Sequence, residues 1–220
     1  NACSYCNIRR VKGAPASEPV ASILARARQG LERGIRDFFL LADDCASYGR
    51  EIGTDLVELV ERLLALERGV TLKLGYVFPS FVTARFDALA PLFATGRISY
   101  ANIPVQSGSQ RILELMNRSY AIDEIVARVR RLREIAPAAR ICTHVLVNFP
   151  TETRWDFLAS LALADVFNDT YFLHYSDNRG TAAARLEPKV PPEEARRRLD
   201  AAADFVNARG CGVVIGDFDC

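Results

Sequence analysis

Apolar positions along the chain follow two alternating spacings, one typical of helices and the other of buried strands. Leu56, Val60 and Leu63 share one face at the three- and four-residue spacing of an amphipathic helix. Phe38–Leu41 is instead a continuous apolar run, which is typical of a strand buried on both faces. The same patterns predict helices over 17–33, from 54, over 83–93, from 107, and over 122–135, 153–166 and 192–208, with strands over 37–41, 71–77, 98–105, 140–147, 170–175 and 212–216.

Polar residues that precede the apolar stretches predict where three of the helices begin. Ser17 and Thr54 are the predicted N-caps of the first two helices, because their hydroxyls can accept a hydrogen bond from an unpaired amide. The run Ser107–Gln110 has the pattern of a capping box at the start of a third helix.

The strict alternation of strands and helices predicts an α/β fold with a parallel sheet covered by helices. Because no dinucleotide fingerprint accompanies the five β/α units, the pattern favours a barrel or partial barrel over a doubly wound sheet. In such barrels the active site lies at the carboxyl ends of the strands. The polar and special residues that follow the predicted strands are Asp43-Asp44, Phe78-Pro79, Gln106-Ser107, Asn148-Phe149-Pro150 and Tyr175-Ser176.

Composition and charge limit the classes of function that remain. Lys and Arg total 28 against 27 Asp and Glu, so the formal net charge of +1 argues against a dedicated nucleic-acid grip. No apolar run approaches the roughly 20 residues that cross a bilayer, so we expect no membrane partner. The six cysteines are mostly far apart, which predicts a reducing, cytoplasmic location.

The pair Cys3 and Cys6 is the most chemically suggestive spacing in the chain. A C-x-x-C pair can bind zinc, carry thiol redox chemistry or bind an iron–sulfur cluster. Zinc normally requires four ligands, and no second pair of this kind follows. A polar stretch over 7–16 separates the pair from the next predicted helix, which is unlike a redox motif. The third possibility is an iron–sulfur cluster that leaves one iron open for a ligand, and the zinc and redox interpretations also stay open.

A set of longer motifs resembles the radical-SAM methylthiotransferases, which modify tRNA adenosine or an aspartate of a ribosomal protein. The matching stretches occur in family order over most of residues 3–190. They are Cys3–Ile8, Arg10–Gly13, Leu40–Gly49, Ile103–Ser109, Ile112–Tyr120, Val147–Thr153, Tyr175-Ser176 and Arg179–Ala183.

The resemblance implies a [4Fe–4S] cluster that cleaves S-adenosylmethionine to a 5′-deoxyadenosyl radical. Cys3 and Cys6 are then two of the three cluster ligands, and the third cysteine would lie two positions before Asn1. It also implies a one-electron reductant such as a flavodoxin or ferredoxin, and an RNA or polypeptide substrate. The residues that the resemblance assigns to S-adenosylmethionine are Tyr5, Gln106, Ser107, Arg118, Asn148, Phe149 and Pro150.

The implied architecture is a partial (β/α)6-type TIM barrel of the radical-SAM kind that lacks its first strand in this chain. We expect residues 1–190 to form this core and residues 191–220 to add a helix and a short strand. The family's accessory domains, one with a second cluster and one that binds RNA, have no counterpart in this sequence.

The chain departs from the family pattern at several positions. Glycines usual at 148 and 151 are replaced by Asn148 and Thr151, His144 stands where an acidic residue is usual, and Asp43-Asp44 replaces a Gly-Gln pair. Two other functions therefore stay open: a radical-SAM enzyme that modifies a peptide or natural product, and a degenerate barrel that binds a nucleotide or partner without radical chemistry.

Several residues have simpler interpretations. We expect Cys45, Cys142, Cys211 and Cys220 to be ordinary small residues and His144 to be a core histidine. Asp43-Asp44 either caps a loop or contacts a ligand. The arginines over 128–133 and 196–198 are expected on solvated helix faces.

Overall fold

The computed structural model describes residues 2–210, in which helices and strands alternate along the chain. The helices are α1 (Ile8–Lys12), α2 (Val20–Glu32), α3 (Leu56–Leu64), α4 (Pro79–Ala84), α5 (Phe86–Ala94), α6 (Gln110–Leu115), α7 (Ile122–Ile135), α8 (Arg154–Leu161) and α9 (Pro192–Asn207). The strands are β1 (Asp37–Leu40), β2 (Thr71–Leu74), β3 (Ile98–Asn102), β4 (Arg140–Val147) and β5 (Asp169–His174).

The five strands form one parallel sheet in the order β1-β2-β3-β4-β5. Strand β1 pairs with β2 from Asp37 opposite Thr71 onward, and β4 pairs with β5 from Cys142 opposite Asp169 onward. A parallel pair needs a crossover connection, which the intervening helices provide. The predicted α/β class is confirmed, and closure into a partial barrel stays a prediction.

The chain divides into two compact units. One combines the described residues up to Gly13 with Pro104–Val126 and the described residues from Cys142 onward, and the other combines Ala14–Ile103 with Ala127–Ile141. All nine residues predicted to hold the cluster or S-adenosylmethionine lie in the first of these units. The sequence-based division at residue 190 stays a prediction.

Apolar faces of helices and strands form the core of each unit. On α3, Leu56, Val60 and Leu63 are at most 1% exposed, as the helical spacing predicts. In the other unit Val145 and Phe172, from β4 and β5, are fully buried. Burying one such side chain stabilises the fold by about 2 kcal/mol, so these faces determine where each helix packs.

The first two helix caps were predicted wrongly. Helix α2 begins after Pro19 rather than at Ser17, whose hydroxyl accepts a hydrogen bond from the amide of Gly49 at 2.9 Å. Asp55, not Thr54, caps α3, because its carboxylate accepts from the amide of Glu58 at 3.0 Å.

Several element bounds also differ from the pattern. The helix predicted over 83–93 is two helices, α4 and α5, which meet at Arg85. The helix predicted over 153–166 ends at Leu161 and continues as a 3₁₀ turn over Ala162–Asp165. The strand predicted over 212–216, together with Cys211 and Cys220, lies outside the described residues.

Candidate functional site

The loop that carries Cys3 and Cys6 is a tight turn that presents two cysteine thiols. The amide of Cys6 donates to the carbonyl of Cys3 at 3.3 Å, and both side chains are partly exposed. The amide of Ile8 donates to Sγ of Cys6 at 3.4 Å. The spacing therefore presents two sulfurs from one turn, one of them already oriented by a backbone amide.

Ser4 fixes this turn to two distant stretches of the same unit. Its amide donates to the carbonyl of Met116 at 3.0 Å, and its hydroxyl to the carbonyl of Leu115 at 2.7 Å. Its own carbonyl accepts from the amide of Ala183 at 2.9 Å, and Asn178 donates to the carbonyl of Tyr5 at 3.1 Å. Ser4 and Asn178 were not predicted, although the stretches they bridge were recognised as motifs.

Arg118 organises the space beside the turn. Its guanidinium donates to the carbonyl of Pro104 at 2.8 Å, to the hydroxyl of Tyr120 at 3.2 Å and to that of Tyr5 at 3.3 Å. Tyr5 in turn packs edge-on against Phe149, with ring centroids 6.4 Å apart. Arg118 is 6% exposed. These three acceptors are neutral oxygens, and the predicted role of Arg118 toward a carboxylate stays a prediction.

Gln106 lies where the chain leaves the sheet, with a left-handed backbone at φ 69°. Its amide donates to the carbonyl of His144 and its carbonyl accepts from the amide of Leu146, each at 2.8 Å. These two bonds form an isolated parallel bridge between Gln106 and Val145 of β4. The backbone position of Gln106 is therefore fixed independently of any ligand.

Ser107 is fully buried, and its hydroxyl lies 3.2 Å from that of Ser160 on α8. The same hydroxyl accepts from the amide of Ser109 at 3.1 Å. Ser109, not Ser107, is the N-cap of α6, so the predicted capping pattern is displaced by two residues. Gly108 between them has no room for a side chain, because a Cβ would lie 2.1 Å from the carbonyl oxygen of Ala159. The geometry gives Ser107 a packing role, and contact with S-adenosylmethionine stays a prediction for it.

The turn after β4 keeps a glycine-like backbone without glycine. Asn148 and Thr151 have φ of 64° and 68°, in the left-handed region, at the two positions where the resembled family has glycine. Asn tolerates this region, whereas a β-branched residue such as Thr is strained in it. Phe149 and Pro150 between them are buried, and Phe149 also packs against Tyr175 with ring centroids 5.1 Å apart.

A buried ion pair holds this turn from inside. Oε2 of Glu152 accepts from the amide of Asn148 at 2.7 Å and from Nη1 of Arg198 at 2.9 Å. The predicted solvated position of Arg198 is wrong, because this residue of α9 is 7% exposed, whereas Arg196 and Arg197 are exposed as expected. Burial raises the pKa of Glu152 to about 7, against the effect of both hydrogen-bond donors. The arginine run in the sequence gave no signal of which member points inward.

A second carboxylate joins the turn to α6. Asp156 accepts from the hydroxyl of Ser109 at 2.5 Å and from the amide of Thr153 at 2.8 Å, and it pairs with Arg111 at 2.5 Å. Burial works to raise the pKa of Asp156, but the bonds from Arg111, Ser109 and Thr153 outweigh it and hold the pKa well below its usual range. Thr153 and Asp156 form a capping box at the start of α8, which the T-x-x-D spacing could have predicted.

The remaining candidates have structural roles. Asp44 caps a short 3₁₀ turn by accepting from the amide of Ala46 at 3.0 Å, which favours the loop-cap interpretation. Cys45 and Cys142 are buried, as expected of ordinary small residues. His144 packs edge-on against Tyr171 at 5.3 Å, and burial lowers its pKa, as expected of a core histidine.

Two further observations bear on metal and membrane binding. Among residues 2–210, no group of three or more His, Cys, Asp or Glu side chains is arranged to hold a metal ion. Over the same residues, no helix is both long and apolar enough to span a bilayer.

Similar proteins are known by sequence and by structure. The chain is 33% identical over 209 residues to the threonylcarbamoyladenosine tRNA methylthiotransferase of Xenopus laevis, a match that covers 93% of this chain and 38% of the relative. It is 35% identical over 208 residues to the ribosomal protein uS12 methylthiotransferase RimO of Desulforudis audaxviator, covering 92% and 46%. The chain thus spans less than half the length of these relatives.

The fold is also found in a solved enzyme. The radical S-adenosylmethionine methyltransferase TsrM of Kitasatospora setae, solved with cobalamin and a [4Fe–4S] cluster, aligns with a TM-score of 0.67 and 18% identity over 83% of this chain and 36% of its own. The family model of the radical SAM superfamily matches residues 1–164, which is most of the chain. The chain therefore belongs to the radical SAM superfamily of enzymes, whose cofactors are a [4Fe–4S] cluster and S-adenosylmethionine.

Proposed function

We propose that this chain is the core of a radical-SAM methylthiotransferase that acts on RNA or a polypeptide. The observation that carries the proposal is the Cys3–Cys6 turn, whose thiols are partly exposed and whose backbone is anchored through Ser4 to the stretches around Met116 and Ala183. Both stretches are among the motifs that resemble the methylthiotransferases. The contacts of Ser4 therefore bring separate family motifs to the cysteine turn.

The residues of the turn suit an iron–sulfur cluster. Thiolates are the usual ligands of such clusters, and amide hydrogen bonds to their sulfurs tune the reduction potential, as the Ile8 amide can do at Cys6. Cys3 and Cys6 would supply two thiolates, and a cysteine two positions before Asn1 would supply the third. With three thiolates on four irons, one iron stays open for a small ligand.

The nearby turn suits S-adenosylmethionine. Within the described residues, Oδ1 of Asn148 is buried without a hydrogen-bond partner, and an acceptor of this kind fits the amino groups that the molecule carries. Tyr5, Phe149 and Pro150 would provide an apolar wall, while Gln106, Ser107 and Arg118 would supply polar groups near the strand exit. Bound together, the two cofactors supply a 5′-deoxyadenosyl radical, and the protein's own contribution is to position and shield them.

The proposed reaction needs partners outside this chain. A small one-electron reductant such as a flavodoxin or ferredoxin would deliver the electron, and the substrate would be tRNA or a protein. The names of the Xenopus laevis and Desulforudis audaxviator relatives support these two substrate classes. We further propose a cytoplasmic location, where both classes occur.

The test is reductive cleavage followed by analysis of the product. The protein is extended upstream to include the expected third cysteine and is reconstituted anaerobically. It is then reduced with dithionite in the presence of S-adenosylmethionine and assayed for 5′-deoxyadenosine. It is then incubated with tRNA or with ribosomal protein, together with sulfide as the sulfur donor and excess S-adenosylmethionine as the methyl donor, and mass spectrometry follows the gain of a methylthio group. We expect 5′-deoxyadenosine, and a methylthio product on one substrate class. A folded, iron-loaded protein that releases no 5′-deoxyadenosine would refute the proposal.

A further inference from the structure

We propose that Arg198 is a positioning residue for S-adenosylmethionine, because it holds the Asn148–Thr153 turn in a glycine-like conformation through Glu152. This inference rests on the proposed function, in which that turn contacts the cofactor. Arg198 lies on α9, which is distant in sequence from the turn, and nothing in the arginine run around it distinguishes it.

The carboxylate of Glu152 bridges Arg198 to the first residue of the turn. Its Oε2 receives the amide of Asn148 at 2.7 Å and Nη1 of Arg198 at 2.9 Å, and Nη1 also donates to the carbonyl of Glu152 at 3.2 Å. The side chain of Glu152 is fully buried and that of Arg198 is 8% exposed. Because both side chains are buried, loss of one partner leaves the other charge without a counter-charge. The position of Glu152 therefore depends on Arg198.

Helix α9 accepts a hydrogen bond from the turn at a second point, and its own residues also hold Arg198 in place. Nδ2 of Asn148 donates to the carbonyl of Ala195 at 3.2 Å, one turn before Arg198. Nε of Arg198 donates to Glu194 at 3.0 Å, and its guanidinium lies over the ring of Phe157 at 5.6 Å. The arginine is therefore held on both sides of its guanidinium, and it can transmit a fixed position to Glu152.

The turn needs this support because its residues are not glycines. Asn148 and Thr151 hold φ of 64° and 68°, and such strained residues persist only where their surroundings fix them. A glycine at either position would adopt the same backbone without support. The replacement of glycine and the buried Glu152–Arg198 pair are thus two parts of one arrangement.

The first measurement compares Arg198→Met with Arg197→Met. Arg197 is the matched control, because it lies on the same helix and also pairs with Glu194, but its side chain is 71% exposed. In cluster-free protein we expect the amides of Asn148, Thr151 and Glu152 to exchange with solvent at least about tenfold faster in Arg198→Met alone. In reconstituted protein we expect the Kd for S-adenosylmethionine to rise at least about tenfold, with unchanged iron content.

A rescue separates positioning from general stability. Adding Thr151→Gly to Arg198→Met should lower the raised Kd for S-adenosylmethionine by at least about threefold, since a glycine at this position holds its φ unaided. A merely structural role would leave this Kd unchanged in folded Arg198→Met. If Arg198→Met does not fold, Arg198→Lys, which keeps the charge but loses the forked geometry, should show the same changes to a smaller degree.

Each outcome bears on one claim. An unchanged Kd together with wild-type exchange at the turn in Arg198→Met or Arg198→Lys would overturn the inference, as would a rescue that leaves the Kd weak. Wild-type protein that carries iron but binds no S-adenosylmethionine would refute the proposed function. In that case the exchange rates would still decide whether Arg198 holds the turn.

Discussion

At the scale of single residues, the turn after β4 has the left-handed backbone that favours glycine, although it contains no glycine. Thr151 keeps a φ of 68° although its branched Cβ disfavours that region, and its amide donates to the carbonyl of Pro188 at 2.8 Å. Its hydroxyl accepts from Arg111 at 3.0 Å on an exposed surface. The energy of this backbone strain therefore exceeds the free energy of the exposed hydrogen bond to Arg111, which a residue without the side chain would lose.

We predict that Thr151→Gly raises the free energy of unfolding by about 1 kcal/mol, because relief of strain exceeds the entropy cost of glycine. Thr153→Gly is the control, since Thr153 has φ of −85° and its side chain caps α8, so this change should destabilise the protein. Urea unfolding of the two variants measures both effects. Destabilisation by both variants would mean that Thr151 is not strained.

The Asp156 carboxylate predicts a pH dependence of stability. Its pKa is held below the ordinary value by Arg111, Ser109 and Thr153, so its ionised form stabilises the fold at neutral pH. This contribution is complete above the pKa that Asp156 has in the unfolded chain, about 4. It is lost as the pH falls below that value toward the lower pKa of the folded protein. We predict that the free energy of unfolding falls less steeply below about pH 4 in Asp156→Asn than in wild type. Parallel slopes in urea titrations at several pH values would contradict this assignment.

Single residues also mark where sequence-based prediction ended. Cys3 and Cys6 were predicted as site residues from spacing, and Phe149 and Pro150 from motif resemblance, and these stay predictions. Arg198 was assigned to a solvated face because it stands in a run of three arginines, and only the packing of α9 against the turn separates it from Arg197. Burial of one member of a charged run depends on tertiary contacts that the run does not encode.

At the scale of elements, periodicity predicted most of the helices and strands, while their ends depended on competing polar residues. It missed α1 (Ile8–Lys12), which lies in the stretch interpreted as polar. Ser107 and Ser109 both offer a hydroxyl before α6, and the structure uses Ser109 as the cap and Ser107 as a packing contact to Ser160. Thr54 and Asp55 compete in the same way before α3. Local sequence does not separate such neighbours, and at Ser107 the deciding contact, with Ser160, comes from elsewhere in the chain.

The contact between the start of α6 and α8 gives a prediction at this scale. In Gly108→Ala the new Cβ would lie 2.1 Å from the carbonyl oxygen of Ala159, so the backbone of α8 must shift, and we expect a loss of about 3 kcal/mol. Gly96→Ala is the control, since Gly96 has φ of 69° with no atom within 4 Å of the added Cβ, and only about 1 kcal/mol of strain is expected. Chemical denaturation compares the two, and equal losses would argue against a close approach of the two backbones.

At the scale of the whole molecule, the order of strands and helices was predictable because a parallel sheet requires apolar strands joined by amphipathic helices. The contacts that hold the cysteine turn were not predictable, since Ser4 donates to the carbonyl of Leu115 and accepts from the amide of Ala183, both more than a hundred residues away. Those contacts bring motifs that are far apart in sequence to one turn. The proposed cluster ligands, Cys3 and Cys6, lie in the turn that these contacts hold.

Iron binding tests this claim most directly. The upstream-extended protein and its Cys3→Ala, Cys6→Ala and Cys45→Ala variants are reconstituted anaerobically, and their iron and sulfide are counted beside their absorption spectra. We predict about four irons per chain in wild type and in Cys45→Ala, whose thiol is buried away from solvent, and almost none in Cys3→Ala or Cys6→Ala. Equal iron in all four folded proteins would contradict the assignment of this turn as the cluster site.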